Sequence, residues 1–316
     1  MALVLLSLSP STFLAPIVPS KAGLSRVATI RADETTRDSS APAGSVTAWQ
    51  PESMAKLLDT LGPLTPKDDA SVFGFDSFTL EGAPGTISSY EGPGAPNVAW
   101  CSGLNIEGVR AGLTCFCGPL TDVPHLVVGV AVADGSIELY IDWRPRADAA
   151  YDPAYATLAD YPDPTDRNMF SQSSNRKDLA DAFYTEDAQA WRDSILALGT
   201  PEAPLSAEQT ASLSAGPCLI DMKLPLTDAN AAAASDACAA AVDRWLGWMT
   251  SAGEMGRELP AGAKQTATYT RDTKVRMQHF GFLRGRYIAA YGEGVGHDLA
   301  SADAGPLDEA YVGGGS

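Results

Sequence analysis

Basic residues are scarce in this chain. Its 316 residues include 22 lysines and arginines against 39 aspartates and glutamates, which gives a formal net charge of −17. Non-specific binding of nucleic acid requires a basic surface that pairs with phosphates, so this balance argues against that class of protein. Any local basic cluster on such an acidic chain is therefore informative. Because 45% of the residues are hydrophobic, we expect a globular protein with a sizeable core.

Several motifs of common site types are missing. The three histidines, His125, His279 and His297, lie too far apart for HExxH, and neither GxSxG nor a Walker loop occurs. The five cysteines show neither metal-ligand spacing nor a disulfide framework. The run GEGVG at 292–296 follows a helix-like segment instead of a strand, so we interpret it as a helix terminator. The sequence thus predicts no bound metal and no dinucleotide cofactor.

The first forty residues do not have the pattern of a folded domain. Residues 1–16 form an apolar run too short to span a membrane, and residues 17–32 carry three basic residues and no acid. With Phe13 just after the join STF, this segment resembles the bipartite presequence of algae with complex plastids. The alternative is a disordered or merely secretory N-terminus.

These features predict the organisation of the chain. We expect residues 1–40 to be a removable presequence and residues 41–316 to form a single domain. The predicted compartment is the plastid stroma, a reducing environment that fits the scattered cysteines. We expect no membrane span in the mature chain and no nucleic-acid partner.

Residues 71–143 have the pattern of strands separated by turns. They are rich in Val, Ile, Phe and Tyr, and Asp134-Gly135 is a strong two-residue hairpin signal. No helix-length segment interrupts them, which favours an antiparallel meander and excludes a doubly wound parallel sheet. Helical patterns precede this region at 51–62 and follow it at 178–199 and 228–253. The sequence therefore predicts an α/β fold, an α/β/α sandwich with a central antiparallel β-sheet flanked by helices.

The last strand of the meander is followed by charged, proline and tyrosine residues in a specific order: Asp142, Arg146, Asp148, Pro153 and Tyr155. This order closely resembles the strand end of red chlorophyll catabolite reductases, members of the ferredoxin-dependent bilin reductase superfamily. Residues 269–291, YTRDTKVRMQHFGFLRGRYIAAY, are similar to the family's C-terminal element, in which an aspartate precedes a Phe-Gly and a last helix. The resemblance covers roughly Phe73 to Tyr291.

The resemblance implies both a fold and a chemistry. The family has an α/β/α sandwich whose antiparallel sheet carries an open-chain tetrapyrrole on one face. No flavin and no metal is bound, reduced ferredoxin supplies electrons one at a time, and protein acids supply protons. The implied partners are therefore ferredoxin and a linear tetrapyrrole, either similar to red chlorophyll catabolite or a bilin. A cofactor-free site that protonates carbon needs a partly neutral carboxylic acid or a histidine that titrates near neutral pH.

The resemblance assigns roles to individual residues. Asp272 matches the family's C-terminal catalytic aspartate. The family's second acid, a glutamate on a strand, falls on Gly129, which puts in question either the activity or the facial selectivity of protonation. His125 lies four residues earlier, points to the same face of the strand, and is a substitute proton donor or a cap of the strand edge.

The charges at the strand end have two interpretations. They form a network that stabilises a turn, or they form the polar rim of a pigment pocket. In the second case Arg146 pairs with a pigment propionate through two hydrogen bonds while Asp142 holds it in place. Trp100 and Trp143 then wall the pocket, unless they simply fill the core.

A basic cluster stands out near the C-terminus. Between Lys264 and Arg286 there are six basic residues and the single acid Asp272. Because plant-type ferredoxins are acidic, Arg271, Lys274 and Arg276 are candidates for steering ferredoxin towards the site. The alternative is an ordinary solvated helix face.

Three hypotheses remain from the sequence. The first is a ferredoxin-dependent oxidoreductase that acts on a linear tetrapyrrole. The second, favoured by the glycine at position 129, is a non-catalytic tetrapyrrole-binding protein on the same scaffold. The third is a plastid protein that has lost the pigment and acts only in assembly.

Overall fold

A computed structural model of the chain describes residues 46–67, 78–80, 83–92, 98–118, 121–146, 167–174, 176–201, 215–251 and 265–304. Within these ranges one antiparallel sheet contains nine strands: β1 Thr65–Lys67, β2 Phe78–Leu80, β3 Ala83–Glu91, β4 Val98–Ile106, β5 Arg110–Cys117, β6 His125–Ala133, β7 Ser136–Arg144, β8 Thr200–Pro201 and β9 Ile220–Pro225. The strand order is β1-β3-β4-β5-β6-β7-β9-β8, with β2 paired to β3. The strands from β3 to β7 thus form the predicted meander.

Seven helices accompany the sheet in the described ranges: α1 Trp49–Leu61, α2 Arg167–Ser174, α3 Lys177–Phe183, α4 Glu186–Leu196, α5 Asp228–Thr250, α6 Gln265–Tyr291 and α7 Glu293–Ala304. Helices α1 and α5 pack together and cover one face of the sheet. Helices α6 and α7 cover the other face. The predicted α/β/α sandwich is confirmed.

The hairpin between β6 and β7 forms where the sequence predicts it. Asp134 and Gly135 have φ angles of 49° and 70°. Two consecutive positive φ angles are typical of the tight turn that matches the twist of paired strands, and glycine adopts them at little cost. This turn fixes the register that pairs His125 with Arg144 and Gly129 with Tyr140.

The fold differs from the predicted elements in several places. The helical pattern at 178–199 is divided into α3 and α4, because Thr185 adopts an extended conformation and its side chain caps α4 by accepting a hydrogen bond from the Ala188 backbone. Strand β9 was not predicted. It pairs with β7 across about eighty residues of intervening chain, a contact that no local pattern indicates.

The core between the sheet and the α1/α5 layer is mainly apolar. Cys115 and Cys117 both point into this core, as expected for residues two apart on one strand. The Sγ atoms of Cys101 and Cys115 lie 3.3 Å apart as free thiols on neighbouring strands.

On the opposite face, α6 and α7 form a tight helical pair. Gly292 lies between them with a φ angle of 83° and terminates α6, as predicted, whereas the rest of GEGVG forms the first turn of α7. Gly296 packs directly on the Ile288 backbone, where a side chain has no room. Phe280-Gly281 falls within the continuous helix α6, so no separate last helix begins there.

Several predictions fall on residues outside the described ranges. These are the presequence at 1–40 and the residues Asp148, Pro153 and Tyr155. Among the described residues, no helix combines the length and the apolar character needed to cross a membrane.

Candidate functional site

The candidate site lies on the sheet face that α6 covers. Alternation along β6 places His125, Val127 and Gly129 on this face, and the register brings Asp142 and Tyr140 of β7 beside them. Helix α6 contributes Asp272, which contacts His125. The prediction that His125 and Gly129 share a face is therefore confirmed.

His125, Asp272 and Arg146 form a connected cluster. The Cys117 backbone N–H donates to Nδ1 of His125 at 2.9 Å, so the proton of a neutral imidazole is on Nε2, which lies 3.1 Å from Oδ1 of Asp272. Arg146 donates from Nη2 to Oδ2 of Asp272 at 2.7 Å and to the Gly118 carbonyl at 3.0 Å. The two oxygens of Asp272 thus receive one donor each.

Burial and neighbouring charges determine the protonation of this cluster. Burial, together with the charge of Arg146, lowers the pKa of His125 to about 4, although Asp272 acts in the opposite direction. Burial alone raises the pKa of Asp272, but its contacts with His125 and Arg146 outweigh burial, and the net pKa is lowered. At neutral pH the cluster therefore holds a neutral imidazole and a carboxylate, so neither Asp272 nor His125 in this state is the partly neutral acid or near-neutral histidine that protonation of carbon requires.

Asp142 belongs to a separate cluster. Its Oδ2 lies 3.4 Å from Nε of Arg144, and its Oδ1 accepts from the Gly216 backbone at 3.0 Å. The predicted support of Arg146 by Asp142 is replaced by this pairing with Arg144, because β7 points positions 142 and 144 to the same face. Burial raises the pKa of Asp142 to about 6, although Arg144 opposes this.

Trp100 is a core residue in this structure. It is fully buried and packs with Phe116 and Val275. The Arg276 guanidinium lies 5.8 Å from the centre of the Trp100 ring and 5.6 Å from that of Phe116. Trp143 is also fully buried, on the opposite face beside α5. Neither tryptophan lines the cavity described below.

Two of the three predicted docking residues lie away from the surface. Arg271 and Arg276 are buried, and Arg276 donates to the Ala304 carbonyl at 3.3 Å. Lys274 is exposed. The reason is that α6 lies on the sheet, so cations three to five residues apart are divided between its buried and exposed faces.

A cavity of about 60 Å³ lies between the sheet and α6. Gly129 lines it, together with the apolar side chains of Val127, Phe282 and Leu283. Its polar lining includes Thr114, Glu138, Tyr140, His279, Tyr287 and Asp303. A mainly apolar cavity with a few polar groups is typical of a small-molecule site.

His279 is an unusual member of this lining. It is fully buried, and neither ring nitrogen has a hydrogen-bond partner among the described residues. Burial lowers its pKa well below the usual value, and the nearby charges of Arg144 and Arg276 act in the same direction. A neutral imidazole here offers one donor and one acceptor to a molecule in the cavity.

Sequence reasoning missed His279, Tyr287 and Asp303 as site residues. His279 entered only as part of a search for metal motifs, although its spacing of seven residues from Asp272 places both on one face of a helix. Asp303 lies in a run of small residues without a recognisable motif. Within the described ranges, no three His, Cys, Asp or Glu side chains converge to form a metal site.

The architecture of this chain is also found in a solved structure of another protein. No family model and no curated protein matches the chain. Its structure is similar to the crystal structure of phytochromobilin synthase from tomato in complex with biliverdin, with a TM-score of 0.54 and 14% sequence identity over 81% of this chain and 83% of that one. At this level of identity the similarity shows a shared fold alone: the chain has the same α/β sandwich fold as that protein.

Proposed function

We propose that this protein binds a linear tetrapyrrole between the sheet and α6 and reduces it with electrons from ferredoxin. The observation that carries the proposal is the cavity on this face, whose lining combines Val127 and Phe282 with the buried polar groups of His279 and Asp303. The similar fold of a protein solved with biliverdin supports it. The resemblance of the β7 strand end to red chlorophyll catabolite reductases supports the same ligand class.

Binding of such a pigment requires the two layers to separate. Sites for drug-sized ligands usually enclose about 300–1,000 Å³, whereas this cavity encloses about 60 Å³. The contacts that must open are between α6 and the sheet, such as the ring contact of Phe282 with Tyr140 at 5.8 Å. We therefore propose that α6 and α7 move away from the sheet when the pigment enters.

Arg146 is the candidate partner for a pigment propionate. It is buried at the edge of this face, and its Nε and Nη1 atoms have no hydrogen-bond partner among the described residues. Its fixed planar group offers two parallel donors to a carboxylate. If a propionate recruits Arg146, Asp272 loses part of the positive charge that lowers its pKa.

The transfer of Arg146 from Asp272 to a propionate connects pigment binding to proton donation. When a propionate engages Arg146, one of the contacts that lower the pKa of Asp272 is weakened, so this pKa shifts upwards, in the direction that burial favours, and proton uptake by the carboxyl becomes easier. His125 holds the carboxyl in position through Nε2. Reduction of one double bond consumes two electrons and two protons, and ferredoxin supplies each electron separately. Asp272 then supplies one of the protons.

The chlorophyll-derived pigment is the preferred substrate within this class. The order of Asp142 and Arg146 at the end of β7 supports a red chlorophyll catabolite over a bilin, and the N-terminal sequence supports the stroma of a complex plastid. An anaerobic assay with ferredoxin, its reductase, NADPH and a panel of linear tetrapyrroles tests both pigment classes. If the protein reduced only bilins, the assignment of a chlorophyll-derived substrate would be wrong.

A second candidate is a tetrapyrrole-binding protein without reductase activity. The absence of a side chain at Gly129 and the lowered pKa of Asp272 favour it, because both leave the resting site short of a proton donor. Pigment binding without turnover in the presence of reduced ferredoxin would support this second candidate.

A further inference from the structure

Asp303 is a buried acid that lines the cavity from the end of α7. Its Oδ2 lies 2.6 Å from the hydroxyl of Tyr287, and its Oδ1 lies 3.1 Å from Oγ of Ser102. The Ser102 hydroxyl also donates to the backbone carbonyl of Asp303. Strand β4 and helix α6 thus hold the carboxyl from two sides.

Three contacts around Asp303 share only two protons, one from Ser102 and one from Tyr287. Ser102 has one proton, which the backbone carbonyl of Asp303 receives. Tyr287 has one proton, which Oδ2 receives. The remaining contact, between Oδ1 and Ser102 Oγ, becomes a hydrogen bond when the carboxyl itself carries a proton on Oδ1 and donates it.

The electrostatic surroundings also favour a protonated Asp303. Burial raises the pKa of Asp303, and the hydrogen bonds from Tyr287 and Ser102 and the charge of Arg110 only partly offset it. Arg110 faces the site from β5, and its guanidinium lies 5.3 Å from the centre of the Tyr287 ring. Arg276 meets the adjacent backbone at Ala304.

We propose that Asp303 is kept as a neutral carboxylic acid and supplies a proton to the molecule bound in the cavity. This role rests on the proposed function, in which the bound molecule is a linear tetrapyrrole. Asp303 then provides the second acid that Gly129 lacks, from the helix layer instead of the strand, since both residues line the same cavity.

Ferredoxin supplies both electrons of the reduction, and Asp303 and Asp272 supply one proton each. One electron from ferredoxin gives the pigment radical anion. The O–H bond of Asp303 breaks and a C–H or N–H bond forms on the pigment. The second electron and the proton from Asp272 complete the two-electron reduction. The Asp303 carboxylate that remains accepts a hydrogen bond from Tyr287, which belongs to the same helix layer, and it regains a proton from water between turnovers.

Infrared difference spectroscopy tests the protonation without any pigment. The wild type should show the carbonyl band of a protonated carboxylic acid at neutral pH, and the band should be absent in Asp303→Asn. In Tyr287→Phe, which removes one hydroxyl donor, the band should persist at a shifted frequency. If the wild type and Asp303→Asn give the same carboxylic-acid region at neutral pH, Asp303 is ionised and the proposal is overturned.

Turnover tests the donor role. Asp303→Asn should bind pigment as the wild type does and reduce it about 10²-fold more slowly, the usual contribution of a general acid. Asp298→Asn, a change on the same helix at a partly exposed residue that does not line the cavity, should reduce it normally. Wild-type turnover by Asp303→Asn overturns the donor role and leaves the proposed function intact. Failure of the wild type to bind or reduce any tetrapyrrole overturns both, and the infrared band still reports whether Asp303 is protonated.

Discussion

Nε2 of His125 lies 3.1 Å from Oδ1 of Asp272, although the two residues are 147 positions apart in the sequence. One belongs to the sheet and the other to α6, so the contact joins the two layers that enclose the candidate site. The Arg146 contact at 2.7 Å gives the same carboxylate a cation. Three residues that the sequence suggested separately thus meet in one cluster.

The first prediction concerns the stability of that cluster. Asp272→Asn leaves the buried Arg146 guanidinium without its anion, which should lower the free energy of unfolding by about 3–5 kcal/mol. Because the folded pKa of Asp272 is lowered, its contribution to stability is present above the unfolded value of about 3.9 and is lost as pH falls through the folded pKa. Urea unfolding at neutral and acidic pH measures both effects. Asp187→Asn, at an exposed site on α4, serves as the control.

If Asp272→Asn unfolds at the same urea concentration as the wild type at neutral pH, the pairing with Arg146 does not stabilise the fold. The proposed transfer of Arg146 to a propionate would then have no opposing contact to break.

The second prediction concerns Asp142 and has the opposite sign. Its pKa is raised to about 6 in the folded state, so its stabilising contribution is fully present below about 3.9 and is lost as pH rises through about 6. A rise of this size corresponds to roughly 3 kcal/mol. Asp142→Asn keeps an oxygen for the Gly216 N–H and cannot ionise. Relative to the wild type, the variant should therefore gain stability between about pH 4 and neutral pH, as measured by urea unfolding across this window.

An unchanged stability difference between wild type and Asp142→Asn across that pH window would show that Asp142 is ionised throughout. Its pairing with Arg144 would then outweigh its burial.

These examples show which parts of the site the sequence could predict. Alternation along β6 and the Asp134-Gly135 turn are local features, so the shared face of His125 and Gly129 follows from the sequence alone. The pairing of Arg146 with Asp272 does not follow from the sequence, because it depends on where α6 crosses the sheet.

The position of α6 against the sheet also explains why two of the three predicted docking residues are buried. Counting charges identified a basic cluster, but a count does not say which cations face the sheet. Arg276 lies against Trp100 and Phe116 because aromatic rings accept a cation on their faces. Asp303 gave no signal, since its role depends on Tyr287 sixteen positions earlier on a different helix.

The third prediction uses the free space at Gly129. A Cβ atom added there meets only the Ala111 carbonyl within 4 Å, at an ordinary contact distance of 3.7 Å. Gly129→Ala should therefore fold and change the free energy of unfolding by less than about 1 kcal/mol. Gly216→Ala is the matched control, because its Cβ would lie 2.9 Å from Oδ1 of Asp142 and closer still to the Trp143 backbone, so it should be clearly destabilised.

Gly129→Glu extends the same test to chemistry. It places a carboxyl in the cavity and should raise the rate of pigment reduction or change the product isomer. An unaltered rate and an unaltered isomer in a folded, pigment-binding Gly129→Glu protein would mean that this position does not take part in protonation.

The fourth prediction concerns ferredoxin docking. Of the three cations first considered, Lys274 is the exposed one, so Lys274→Glu should slow association with an acidic donor. The wild type should also slow with added salt, since the Debye length is only about 8 Å at physiological ionic strength. Lys56→Glu, on α1 behind the opposite face of the sheet, makes the same charge change and should have little effect. Stopped-flow oxidation of reduced ferredoxin measures the rate, and equal slowing by both variants would show that overall charge acts instead of a docking site.

The most direct test of the central claim is a titration of the purified protein with biliverdin and with red chlorophyll catabolite, followed by absorption spectroscopy. We expect the wild type and Gly129→Ala to shift the visible band of at least one pigment with saturation at one equivalent. Gly129→Trp, which fills the cavity, should abolish the shift while leaving the far-ultraviolet circular dichroism unchanged. An unshifted spectrum with the wild type, or an equal shift with folded Gly129→Trp, would contradict the proposal that the face beneath α6 binds a linear tetrapyrrole.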